Sequence, residues 1–353
     1  MSVQKRQRAT IGQVAKLAGV SITTVSNVIN DRTDAMRPAT RARVLEAAQT
    51  LGYHPSQAAR SLAIRQTATI GLVITEIATP LFFGAVSQIE RLAREAGHNV
   101  LLTHASTTED EKDSLDLLQE KEVEGVIFLS TSDYRDEDLL DRLSRTIPVV
   151  TINRSGTGGP FDRISWDNVL GVASAVRHLA DLGHRRIGFL HGPSNRQSTD
   201  ERFQGYRLGL TESGIRFDEE LVGIGDYTGI PTAWMTATER LLNGSSRPSA
   251  VIAADDSVAA VVIRTVKRRG LRLPEDVAVV GIDDQPFAEL LDPPLTTIRL
   301  PIAEAGQMAV QLLLERIGGL GSPSVRHVLP TKLVIRESCG GLPSADLVRP
   351  EVD

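Results

Sequence analysis

The sequence predicts a small all-α helix-turn-helix head followed by an α/β body of two doubly wound parallel-sheet lobes. Three observations carry that expectation. Residues 10–30 read as two short helices joined by a tight turn. From Thr69 onward, compact apolar runs alternate with amphipathic helices, and the alternation then repeats as a second half. Charge divides at the same place: residues 1–65 carry a net +7, while the whole 353-residue chain carries −5, leaving −12 on the rest. A basic head on an acidic body implies a polyanion partner for the head alone.

The head begins with a basic arm over residues 1–9. Thr10 is an N-cap, and Gln13 three residues on completes a capping box. Ile11, Val14, Ala15 and Ala18 share one helical face. Gly19 supplies the turn. Ser21 caps a second helix whose buried stripe is Val25, Val28 and Ile29. Its other face carries Ile22, Thr23, Ser26 and Asn27. In a helix-turn-helix, that N-terminal face meets base edges in the major groove. An ordinary helical hairpin has the same pattern, and the local charge favours the nucleic-acid reading. After the loop at 31–34, Pro38 opens a third helix, with Val44, Leu45, Ala48 and Leu51 expected on its buried face.

Residues 54–63 hold good helix formers over only about two turns, which is marginal in isolation. The segment is either a linker or a hinge helix ordered on DNA, with Leu62 as its apolar tip. The body opens with a strand at 70–74 and a helix ending at Gly97. Strands follow at 100–102, 125–129 and 149–152, with helices near 109–121 and 136–145. The second half has helices at 171–182, 199–213, 231–243 and 257–269, and strands at 187–190, 250–254 and 277–282. A last amphipathic helix spans about 302–317. Alternation of this kind implies parallel sheets with helices on their faces, and two such halves imply a cleft between them. The stretch after Gly340 reads as a tail.

Several classes are excluded. Cys339 is the only cysteine, so no disulfide framework forms within the chain, as expected of a reducing cytoplasm. No apolar run approaches a membrane span, and the basic N-terminus lacks the apolar core of a secretory signal. His178, His184 and His191 lack zinc-type spacing, and no P-loop, His-Glu-x-x-His or Gly-x-Ser-x-Gly motif occurs. Neither an enzyme, a metal site nor a cofactor is therefore expected. A secreted solute-binding protein fits the body but not the basic head.

Val14 to Ser21, Thr24 to Asn30, Gly52-Tyr53-His54-Pro55-Ser56 and Ala59-Arg60-Ser61-Leu62 resemble the head and hinge of the LacI/GalR family of bacterial repressors. The body continues the resemblance at Gly183 to Gly188, Arg202 to Tyr206, Leu273 to Val277, Val280 to Asp284 and Leu295 to Ile298. The likeness runs from about Thr10 to Glu337. It implies a head at 1–55, a hinge and linker at 56–67, a periplasmic-binding-protein-like core at 68–340 and a tail at 341–353. The N-lobe is then about 68–167 with 299–330, and the C-lobe about 168–298 with 331–337. The family implies a homodimer on a near-palindromic double-stranded operator, switched by a small effector. No leucine-repeat helix follows at the C-terminus, which favours a dimer over a tetramer.

By the same resemblance, Ile22, Thr23 and Asn27 read bases, with apolar Ile22 suited to a thymine methyl. Thr10, Ser21, Thr24 and Tyr53 would position the head on phosphates, with plain capping as the alternative for each Thr and Ser. Leu62 matches a leucine wedged into the minor groove. Ala63 stands where relatives often carry a lysine, which leaves Arg60 as the nearest basic group. The implied effector residues are Leu81, Phe82, Arg154, Asp167, Arg196, Ser198, Arg202, Tyr227, Asp255 and Asp283. Carboxylates, arginines and an aromatic suit a polyhydroxylated ligand: Asp accepts from vicinal hydroxyls, Arg donates to them, and Tyr stacks on a sugar face. Purine-binding relatives carry an extra aromatic where Leu81 stands, which favours a sugar over a nucleobase or other metabolite. Arg202 and Asp283 could also form a buried ion pair.

Overall fold

The computed structural model describes residues 9–29, 36–53, 67–75, 80–130, 138–154, 159–194, 196–227, 231–243, 247–320 and 323–341. The chain divides into two compact units, Met1–Ala68 and Thr69–Asp353. Each is described by itself.

In the first unit, α1 spans Ile11–Ala18, α2 Ile22–Ile29 and α3 Pro38–Thr50. The capping box forms: the Gln13 amide donates to Thr10 Oγ1, and the Thr10 amide donates to Gln13 Oε1 at 2.8 Å. Gly19 ends α1 in the left-handed region at φ 65°, a conformation that costs a side-chain-bearing residue. Val14, Ala15, Ala18, Val25, Val28, Val44 and Ala47 close the core. Leu45 and Leu51 do not join it and are exposed. Leu45 stands about 100° around the helix from Val44, and Leu51 falls past the last helical residue.

The second unit holds two six-stranded sheets. In the first lobe the order is β11-β5-β4-β3-β1-β2. Its strands are β1 (Thr69–Ile74), β2 (Asn99–His104), β3 (Val126–Leu129), β4 (Val149–Ile152), β5 (Asp162–Trp166) and β11 (Arg326–Leu329). Helices α4 (Phe83–Glu95), α5 (Thr108–Glu120), α6 (Asp138–Ser144) and α11 (Ile302–Ile317) belong to the same lobe. In the second lobe the order is β12-β10-β9-β8-β6-β7. These strands are β6 (Ile187–His191), β7 (Val222–Ile224), β8 (Ala250–Ile252), β9 (Ala278–Asp283), β10 (Thr296–Arg299) and β12 (Lys332–Val334). Its helices are α7 (Asn168–Asp181), α8 (Gln197–Glu212), α9 (Thr232–Asn243) and α10 (Asp256–Arg268). Pairing is parallel throughout except where β12 runs antiparallel to β10. The chain passes between lobes three times: from β5 into α7, from β10 into α11, and from β11 into β12.

Strand β5 is absent from the sequence expectation because it starts on two charged residues. Both are buried in compensated form. Asp162 accepts from Arg316 Nε at 2.9 Å, Arg316 Nη2 at 3.0 Å and the Val325 amide at 2.8 Å. Arg163 lies over the Phe161 ring. Helices α7 and α8 pack closely because Gly205 lies against the Val169 backbone, where a Cβ would overlap the Val169 carbonyl oxygen. That contact sets the position of Arg202 one turn upstream.

Candidate functional site

The head presents the N-terminal face of α2. Ile22 is 55 % exposed, Thr23 is exposed and Asn27 is half-buried. Ser21 Oγ accepts the Thr24 amide at 3.1 Å and lies 2.8 Å from Thr24 Oγ1. Thr10 and Ser21 thus serve as caps, and Thr24 is the first-turn residue whose amide and hydroxyl Ser21 holds. Tyr53 is half-buried against the head core, and its amide donates to the Ala48 carbonyl. Arg60, Leu62 and Ala63 lie outside the described residues.

In the body, the carboxyl ends of β8 and β9 and the start of α8 meet. Open α/β sheets bind ligands at such strand ends. Arg202 gathers this corner: Nη1 donates to the Ala254 carbonyl at 2.6 Å, and Nε donates to Asn168 Oδ1 at 3.3 Å. Its Nη2 stands 3.5 Å from Asp283 Oδ1. That oxygen is buried and has no hydrogen-bond partner. The other Asp283 oxygen accepts from Gln285 Nε2 at 3.4 Å. Asp255 caps α10 by accepting the Val258 amide at 2.8 Å.

Two carboxylates, Asp255 and Asp283, therefore lie near one guanidinium, and Asp256 stands close enough to both to repel them. Burial pushes all three carboxyls upward: Asp255 is raised, Asp283 is raised well above the ordinary range, and Asp256 rises to about 7. Mutual repulsion adds to the shift at Asp283 and Asp256, while Arg202 opposes it at Asp283 and Asp255. Asp256 is completely buried and accepts the Gln285 amide at 2.7 Å and Thr297 Oγ1 at 2.5 Å.

Tyr227 sits beside this corner with the Arg196 guanidinium 4.9 Å from its ring centroid. Trp234 packs edge-on at 5.3 Å. Burial raises the Tyr227 hydroxyl pKa, which keeps the phenol protonated. Ser198 is buried in the first turn of α8.

Other expected residues are placed differently. Phe82 ends a short 3-10 turn and is buried in the first lobe's core, whereas its neighbour Phe83 is exposed. Arg154 is buried, with Nη1 and Nη2 donating to the two Glu111 oxygens at 2.8 and 3.1 Å. Asp167 caps α7 through the Leu170 amide at 2.8 Å, at the first passage between lobes. A narrow polar recess joins the lobes, lined by Asn153, Arg154, Arg163 and Arg326 on one side and Gln197 and Glu201 on the other. Leu81 and Asp283 line a second, largely apolar groove of about 660 Å³. Asn168, Asp256 and Gln285 were not anticipated as site residues. Each directly follows an anticipated acid or an acidic pair, and that run of polar residues at a strand end is the signal they left in the sequence. Among the described residues no cluster of His, Cys, Asp or Glu could hold a metal ion, and no helix is long and apolar enough to cross a membrane.

Comparison with known proteins agrees with both units. Residues 10–56 match the profile of bacterial regulatory proteins of the lacI family, and residues 176–339 match a periplasmic binding protein-like domain. The HTH-type transcriptional regulator CelR of Thermobifida fusca is 38 % identical over 346 residues, covering 95 % of this chain and 100 % of that protein. A CelR–cellobiose complex aligns with TM-score 0.70 at 35 % identity, over 94 % of this chain and 100 % of that one. A lac repressor dimer bound to operator and the anti-inducer ONPF aligns with TM-score 0.85 at 29 % identity, over 94 % and 99 %. With these likenesses spanning both the helix-turn-helix head and the two-lobed core, the chain belongs to the lacI family of bacterial regulatory proteins and is a DNA-binding transcriptional regulator.

Proposed function

We propose that this regulator is a repressor whose operator affinity is switched by a sugar or sugar derivative bound between the two core lobes. The observation that carries the reading is the bare Asp283 Oδ1, buried and 3.5 Å from Arg202 Nη2 yet accepting no hydrogen bond. A buried acceptor of this kind is costly until a donor reaches it. Vicinal hydroxyls supply donors to Asp283 and Asp255 and acceptors for Arg202. The likeness to a cellobiose complex supports the same ligand class. A ligand that touches both lobes changes DNA affinity through its differential affinity for two lobe arrangements. The test is a thermal-shift and tryptophan-fluorescence screen of cellobiose, ribose and other sugars against nucleobases. A response to nucleobases alone would move the effector to that class.

On the head, Ile22, Thr23 and Asn27 are assigned to base edges, and Thr10, Ser21, Thr24 and Tyr53 to phosphates, with Arg60, Leu62 and Ala63 at the minor groove. The division into a head at 1–55, a hinge at 56–67, a core at 68–340 and a tail at 341–353 belongs to the same reading, as does work in the cytoplasm, where chromosomal operators lie. The functional species is a homodimer. Leu290, 83 % exposed, joins the 660 Å³ groove to a neighbouring one of about 560 Å³ beside α10. An apolar face of that extent suits a second copy of the chain.

A further inference from the structure

Asp283 and Asp284 are consecutive non-glycine residues at positive φ, 118° and 55°. A strained pair persists only where surrounding bonds over-determine it. The Asp284 amide donates to Thr297 Oγ1 at 3.3 Å, and the next amide, Gln285, donates to Asp256 at 2.7 Å. The Asp284 carboxylate accepts from Arg299 Nε at 2.6 Å and from Arg336 Nη2 at 2.7 Å. Adjacent side chains thereby address different partners: Asp283 addresses Arg202, and Asp284 addresses two other arginines.

Arg299 flanks one of the three passages between lobes, and Arg336 stands just beyond the strand that follows another. Arg299 is the last residue of β10, directly before Leu300 and Pro301 lead into α11 of the first lobe. Arg336 follows β12, the strand that brings the chain back. Its amide donates to Thr296 Oγ1 at 2.8 Å, and its Nη1 donates to the Leu295 carbonyl at 2.7 Å. Asp284 is thus the carboxylate shared by the outgoing and returning segments, and it is covalently joined to Asp283.

We propose that Asp284 is a positioning residue of the effector response, tying Asp283 to the two segments that join the lobes. The proposal rests on the effector reading above. Charge-assisted hydrogen bonds are short and directional, and this backbone turn is held at every amide from 284 to 285. Displacement of Asp283 therefore moves Asp284, and Asp284 pulls on Arg299 and Arg336.

Hydrogen exchange on the full chain tests this without a ligand. Asp284→Asn and Arg299→Gln should each raise amide exchange over residues 299–303 about tenfold, the loss expected for one charge-assisted bond. Arg299→Lys, which keeps the charge on a half-exposed side chain, should restore slow exchange. Asp162→Asn breaks a comparable buried carboxylate–arginine pair away from this turn. It should lower the melting temperature and leave residues 299–303 unchanged. Unchanged exchange in Asp284→Asn, an equal rise in Asp162→Asn, or Lys behaving like Gln at 299 would each overturn the proposal. A second arm adds cellobiose or ribose. Where wild type binds one of them, Asp284→Asn should retain binding while losing the ligand-induced protection of 299–303; retained protection would also overturn the proposal. If neither sugar binds, the choice of these two sugars fails rather than the proposal, and the ligand-free exchange still decides the role of Asp284.

Discussion

Arg202 Nη2 stands 3.5 Å from Asp283 Oδ1, yet the guanidinium spends its hydrogen bonds on the Ala254 carbonyl and the Asn168 amide oxygen. The pair is held in register without being closed. Arg202→Ala should therefore leave a folded protein that binds operator but has lost effector affinity. Loss of one hydrogen bond to a charged group predicts at least about a tenfold rise in Kd. Isothermal titration with whichever sugar shifts the wild-type melting temperature measures it. A variant with wild-type affinity would remove Arg202 from the site.

Acid should stabilise the core through the carboxylate cluster. Burial raises Asp255, Asp256 and Asp283, with Asp256 near 7. The folded state then binds more protons than the unfolded chain between about pH 4 and pH 7, so this contribution falls as pH rises through that window. The melting temperature should decline from pH 5 toward pH 7.5, and Asp256→Asn should flatten the decline. An Asp256→Asn slope equal to that of wild type would place the titration elsewhere.

Gly205→Ala should destabilise the core by about 1–3 kcal/mol, the usual cost of forcing volume into a packed interface. The added Cβ would meet the Val169 carbonyl and the Val172 side chain. Denaturant unfolding measures the change. An unchanged midpoint would mean that α7 and α8 separate more readily than their packing implies.

Ile22 is mostly exposed, so Ile22→Ser should leave the melting temperature within about 0.5 kcal/mol of wild type in stability terms. Its cost should appear on DNA. Selection from a random-sequence pool defines the operator, and the variant should lose about 1–3 kcal/mol on that operator. Affinity for random duplex should hold and should fall steeply with salt, as the +7 head requires. Equal losses on both DNAs would assign Ile22 to general contact only.

Leu290→Glu should shift the sedimentation coefficient toward a monomer and weaken operator binding with it, because two half-sites are held together only by a dimer. A variant that remains dimeric at micromolar concentration would place the interface on another face.

The head was legible because its signals are local. Thr10, Gln13, Gly19 and Ser21 act within one turn of themselves, and Val14, Val25 and Val44 needed only helical spacing to be placed in a core. The limit showed at Leu45 and Leu51, where the angle around the helix and the exact end of α3 decide exposure. In the body, the alternation of apolar runs and helices fixed two lobes. Strand β5 was hidden because Asp162 and Arg163 look like surface residues until Arg316, more than 150 positions away, neutralises one of them.

The candidate site divides along the same line. That Arg202, Asp255 and Asp283 lie at strand and helix ends follows from their places in the repeating pattern. Whether a side chain is available there does not. Arg154 and Phe82 have the right chemistry, but Glu111 and the first lobe's core occupy them. Asp256, Asp284 and Gln285 are marked in the sequence only by adjacency to an anticipated acid or an acidic pair at a strand end, which does not state what they bind. Their roles arise from bonds to Thr297, Arg299 and Arg336, partners brought close only when β9, β10 and β12 pair. A sequence states which groups exist and how local backbone will run, and only the folded chain determines which charges meet, because desolvation and pairing depend on residues far apart along it.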